Sequence, residues 1–215
     1  MKLNELLFEN PQLIDPIDSK KFVNDHDHNH KLYDTLIMQS HQLIKQINDH
    51  IILVRIDAKR GKDFNFQYVG LDNKNEQVCF LSRCVVKTDK ILGRYVFQNF
   101  LWVSPQHKKE FHGWPSKLVF EQLLPKYGTI TTDEFHTPKG MNYWAKLVKQ
   151  THTEHDGAFY VYHFNKKQEQ IHLVKTVHHL IELQKEHKIW DHGPSGAHQL
   201  VVISTKKLHQ KKHSG

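Results

Sequence analysis

The sequence predicts a single α/β domain: a mixed, mostly antiparallel sheet flanked by helices. Three observations carry this. Four strand-like runs lie between residues 51 and 103, separated by turn signals. Beyond residue 115 the apolar period changes to that of helices alternating with short strands. The 215 residues suffice for one large core, which at this size buries roughly 70% of the unfolded surface without disulfides or structural metal.

Residues 1–16 read as a short helical start and an irregular stretch, with Pro11 and Pro16 as breakers. Leu32, Leu36, Ile37, Leu43, Ile44 and Ile47 recur at three- and four-residue steps, which predicts an amphipathic helix reaching to about residue 48. Residues 51–56 form a nearly continuous apolar run. In 64–68, Phe64, Phe66 and Tyr68 alternate with Asn65 and Gln67, the period of a strand. The runs 78–86 and 94–103 are rich in β-branched and aromatic residues. Turn signals at 59–62, 72–75 and 88–93 join them as an antiparallel meander.

The second half alternates. Pro115 stands at a first helical position, and Leu118, Val119 and Leu123 continue a helix that Pro125 and Gly128 end. Residues 129–132 make a short strand. Thr137 and Pro138 open a helix through Lys149, with Met141, Trp144, Ala145 and Val148 on one face. A strand at 159–164, a helix at 171–187 and a strand at 199–204 complete residues 1–205. Residues 206–215 form a basic tail, expected to be disordered.

The formal net charge of +7 favours anionic partners: nucleic acid, a phosphorylated cofactor or an acidic protein. The 19 histidines are scattered through the predicted elements, which points to a compositional habit rather than one site. The alternating run Asp25 to His30 is expected to hold no dedicated metal, because a true site needs ligands that converge in space. Cys79 and Cys84 lie five apart in one predicted strand, a poor geometry for a disulfide, and fit a reducing compartment. No apolar run approaches the ~18 residues of a membrane-spanning helix, and residues 1–14 lack a signal-peptide core, so a cytoplasmic protein without membrane partners is expected. The HExxH, CxxC, Walker-loop and GxSxG motifs are absent, which removes local support for the commonest protease, zinc-ribbon, NTPase and serine-hydrolase readings. Phe97, Phe100, Trp102 and Trp114 mix with Arg94, Lys108 and Lys109, a composition found on single-strand nucleic-acid surfaces and, more often, in strand cores.

Three segments carry a family resemblance. Phe100-Leu101-Trp102-Val103-Ser104-Pro105 is an apolar run into a proline; His112-Gly113-Trp114-Pro115-Ser116-Lys117-Leu118 is a glycine-containing loop before an apolar helix; and Gly128 to Asp133 is followed by Thr137-x-x-Gly140-x-x-x-Trp144-x-x-Leu147. Over about residues 100–150 this resembles the GNAT superfamily of acyl-CoA-dependent N-acetyltransferases, including small GNAT-like proteins, some from phages and other mobile elements. The resemblance implies an acyl-CoA cleft, with acetyl-CoA as the cofactor and an amine-bearing small molecule or protein as the acceptor. It places the pantetheine arm on Trp102, Val103 and Ser104, and the phosphates on Lys108, Lys109, His112, Gly113, Trp114 and Ser116. Pro115 departs from the family's second glycine and has no N–H to donate. The family's tyrosine acid falls at Trp144, and Tyr143, one helical step of about 100° away, is the remaining candidate. Asp133, Glu134 and His136 are the candidate bases, His136 having an ordinary pKa of about 6.5. The alternative implied by the departures is a non-catalytic GNAT-like protein that binds nucleic acid or a host protein through its basic surface.

Overall fold

A computed structural model describes residues 26–58, 64–132, 138–187 and 198–209. The described elements are helix α1 (His26–Ile37), strands β1 (Gln42–Gln46), β2 (Ile51–Asp57), β3 (Phe66–Asp72), β4 (Gln77–Asp89) and β5 (Gly93–Val103), a helical run α2 (114–127), β6 (Thr129–Thr131), α3 (Pro138–Thr153), β7 (Tyr160–Asn165), β8 (Gln170–Leu173), α4 (Val177–His187) and β9 (Gln199–Ser204). The fold is α+β. The strands hydrogen-bond in the order β1-β2-β3-β4-β5-β6-β9-β7-β8, antiparallel in each recorded pairing except β5 with β6, which is parallel. No described helix is long and apolar enough to cross a membrane.

The described chain divides into two compact units. One contains 26–58, 64–85 and 98–115; the other contains 86–97, 116–132, 138–187 and 198–209. In the first, α1 places Tyr33 and Leu36 on Val54, Ile56, Val69, Leu71, Val78, Leu81, Phe100 and Trp102. In the second, Leu92 and Tyr95 pack with Tyr162, Phe164, Ile171, Leu200 and Val202. In the first cluster the strands carry apolar residues on the side that faces α1, and the second joins strand residues with Leu92 of the β4–β5 turn.

Three predicted elements change. The helix expected to about residue 48 stops at Ile37, and residues 42–46 form β1, paired to β2 with a bulge near Ile44. Leu43 is 58% exposed, so the apolar spacing that imitates a helix here serves an edge strand. The helix expected over 171–187 begins at Val177, and residues 170–173 pair with β7 instead. Thr176 marks the boundary, its hydroxyl accepting the His179 N–H at 3.1 Å as an N-cap. Pro125 does not end α2. The run is α-helical at Trp114–Lys117, widens to a π-helix at Leu118–Leu123, and returns to α at Leu124–Tyr127. The wide turn, seen in the Leu124 N–H donating to Val119 O, directly precedes the proline that lacks an N–H. Gly128, with φ of 75°, ends the run as the sequence predicts.

Gly70 on β3 is held to glycine by packing. A Cβ there would stand 2.5 Å from Phe111 Cζ and 2.8 Å from Phe80 Cβ, whose rings stack at 5.0 Å. Cys79 and Cys84 are buried and free, and burial pushes both thiols up, Cys84 to about 12. Gly70→Ala is expected to lower stability by about 1–3 kcal/mol through overpacking. Gly113→Ala, where φ is +77° but nothing lies within 4 Å of the new Cβ, is expected to cost less, about 1 kcal/mol. Urea denaturation of both variants checks the order.

Candidate functional site

The corner after β5 begins with a short 3-10 turn, Pro105–His107. Ser104, the residue before it, donates its N–H to Cys79 O at 2.9 Å, which ties the end of β5 to β4. Its hydroxyl lies 3.1 Å from His107 Nδ1, and His107 Nε2 lies 3.1 Å from Asp72 Oδ2. All three residues are buried. A carboxylate only accepts, so Nε2 carries the hydrogen towards Asp72; in the neutral imidazole Nδ1 then accepts from Ser104.

Asp72 is the last residue of β3 and also builds the following turn. Its Oδ1 accepts the N–H groups of Lys74 and Asn75, and its Oδ2 accepts the Asn75 amide at 2.7 Å. Burial works to raise the Asp72 pKa. The hydrogen bonds from the Asn75 side chain, His107 and the two backbone N–H groups outweigh burial and hold the carboxyl below its ordinary range. Ser104, His107 and Asp72 thus have the composition of a hydrolytic triad. With its carboxylate engaged by a turn and its serine inside the protein, the set works as a buried tie between the β3–β4 turn and the β5 corner.

The residues beyond the tie turn back on themselves. Phe111 donates its N–H to His107 O, His112 to Lys109 O, and Trp114 to Phe111 O. Phe111 is buried against Phe80 and anchors the loop, while Lys108, Lys109 and His112 are exposed. Gly113 takes its left-handed conformation at the bend, Trp114 is half-buried, and Ser116 is buried at the start of α2. Trp102 and Val103 are buried at the end of β5.

Of the residues assigned from the sequence, Trp102, Val103, Ser104, Lys108, Lys109, His112, Gly113 and Trp114 lie together in one unit. Ser116 and Tyr143 belong to the other. The one-step offset from Trp144 predicts that Tyr143 faces elsewhere, yet both are buried, at 3% and 1% exposure, with ring centroids 6.4 Å apart. Helix α3 packs against both α4 and β7, so its buried arc is wide enough to take adjacent residues. Asp133, Glu134 and His136 lie outside the described residues. Sequence reasoning missed His107 and Asp72. The Ser-x-x-His spacing of 104–107 and the Asp-Asn-Lys-Asn turn at 72–75 were the available signals, but only the fold brings them together.

Among the described residues no group of three or more His, Cys, Asp or Glu is placed to hold a metal. The described histidines serve packing and pairing: His155 packs its ring on Phe120 at 4.3 Å, and His163 bonds Gln199 and stacks on His172 with ring centroids 6.1 Å apart. No protein-family model, no curated protein and no solved structure matches this chain.

Asp72 carries the site's clearest pH signature. Its folded pKa is depressed, so its contribution to stability is complete above the unfolded value near 3.9 and is lost as pH falls through the lower folded value. Asp72→Asn is expected to cost about 1–3 kcal/mol at neutral pH. The gap between the variant and the parent, read from urea midpoints, should narrow below about pH 4. A gap constant with pH would remove the ionised carboxylate from this account.

Proposed function

We propose that the chain is an acyl-CoA-dependent N-acyltransferase of GNAT type, moving an acetyl group from acetyl-CoA to an amine. The observation that carries this reading is the parallel β5–β6 pair connected through α2. The two strands pair at Val96 with Ile130 and at Phe97 with Thr131, while β5 continues to Val103. Ser104 spends its N–H on β4, so by strand alternation Val103 directs its N–H and C=O to the opposite edge of β5. In this reading a pantetheine arm takes those two groups, and Lys108, Lys109 and His112 neutralise phosphate.

The chemistry is direct transfer. The amine nitrogen attacks the thioester carbonyl, the C–S bond breaks, the amine loses a proton to His136 or Asp133, and the CoA thiolate receives one from Tyr143. Trp144 has only an indole N–H and supplies no proton at neutral pH.

A second reading is favoured by the loop itself. His112 and Trp114 spend their N–H groups within the loop, and Pro115 has none, so few backbone donors are left to wrap a pyrophosphate. In that reading the chain is a non-catalytic protein, of the kind found in phages and mobile elements, that binds nucleic acid or a host protein through basic residues.

Calorimetric titration with acetyl-CoA and with CoA separates the two. The acyltransferase reading expects micromolar binding, weakened about tenfold or more in the Lys108→Ala, Lys109→Ala double variant. No heat with either ligand at millimolar concentration sinks it. Salt-sensitive retention on nucleic acid by the same preparation then supports the second reading.

A further inference from the structure

Helix α1 covers one side of strands β2, β3 and β4, and the interior beneath it is built in cross-strand rows. Val54, Val69 and Leu81 are register partners and all are fully buried. Two residues along each strand, the equivalent row is Ile56, Gln67 and Arg83. The apolar floor gives way here to an amide and a guanidinium, and at this level the packing opens into a cavity of about 300 Å³ that Leu36, Ile56 and Phe64 also line.

Gln67 is the telling residue. It is 5% exposed, yet it lines the cavity. Buried amides are normally paired. One that faces a cavity at the small end of the ligand-pocket range, about 300–1,000 Å³, has the placement of a recognition group. Arg83 is oriented beside it by two rings, its guanidinium carbon 5.1 Å from the centroids of both Phe64 and Phe100. Phe64 supplies a flat aromatic wall.

We propose that this cavity binds a planar heterocycle or aromatic carboxamide that presents a hydrogen-bond donor and acceptor side by side. The Gln67 amide carries the complementary acceptor and donor, the pairing by which a glutamine reads the N6/N7 edge of adenine. The apolar side chains and the Phe64 ring take the faces of a flat molecule. A purely aliphatic ligand leaves the amide unpaired, and a bare anion leaves the apolar walls unused. The site uses none of the residues assigned to acyl-CoA, so its test is independent of that reading.

The experiment follows the Gln67 side-chain NH2 resonances of 15N-labelled protein during titration with adenine, adenosine and nicotinamide. Saturable shifts of that pair are expected with at least one probe. Gln67→Leu keeps the side chain's size and removes the amide, so it should retain or raise the thermal midpoint while weakening binding by about tenfold or more. Gln67→Met serves as the second variant with the same expectation. Binding of adenine and adenosine alone assigns a nucleobase, and binding of nicotinamide alone assigns a carboxamide. Shifts absent with all three at millimolar concentration, or binding equally tight in both variants, overturn the proposal and leave a hydrated cavity.

Discussion

The Asp72 carboxylate is the constraint around which the first unit is organised. A buried charge is tolerated only when its oxygens are satisfied, and here they accept from the backbone and the Asn75 amide of one turn and from the imidazole of the distant His107. The turn it fixes, residues 72–77, then becomes an anchor for others. Asn73 donates its N–H to His50 O and accepts the Tyr33 hydroxyl at 3.0 Å. His30 Nδ1 lies 2.9 Å from Glu76 O, and Asn29 exchanges two hydrogen bonds with the backbone of Val78. Helix α1 is thus fastened by Tyr33 and His30 to a turn that one carboxylate holds in shape, and by Asn29 to the start of β4.

That fastening has a consequence for packing. With α1 fixed at its first turns over the β3–β4 hairpin, its later residues Leu32, Thr35 and Leu36, with Gln39 just past its end, line the cavity at the far end of the same strands. The spacing of Leu32, Thr35 and Leu36 places them on one helix face. The dense core lies where the rows beneath are apolar, and the cavity lies where the row turns polar at Gln67 and Arg83.

The fold class was legible because strand runs and turn chemistry act locally. The four central strands, the short strand at Thr129, and the glycine stop at Gly128 were all readable in this way. Residues 42–46 were not, since Leu43, Ile44 and Ile47 fit a helical stripe, and only pairing to β2 decides between the periods. Ile171 and Leu173 posed the same ambiguity. The site was less legible. Gln67 stands between Phe66 and Tyr68, where alternation normally turns an amide to water, but β3 is buried on both sides and the amide stays inside. Asp72 and His107 are 35 residues apart, and nothing in either local sequence marks them as partners. Long-range polar contacts are decided by topology, and composition does not encode them.

The corner after β5 shows what the Ser104–His107–Asp72 tie costs in chemistry. A loop that wraps a phosphate needs N–H groups pointing outwards, and such groups are available only while the loop leaves them unpaired. Here successive turns return the N–H groups of His107, Phe111, His112 and Trp114 to carbonyls of the loop itself. Rigidity is gained and anion-binding backbone is lost. What remains on the outside is side-chain charge, Lys108 and Lys109 with His112 beside them. Lysines hold an anion as mobile point charges, without the fixed geometry of backbone donors. An anion held at this corner would therefore be bound by charge density more than by shape, and less tightly as salt screens exposed charges over a distance of about 8–10 Å.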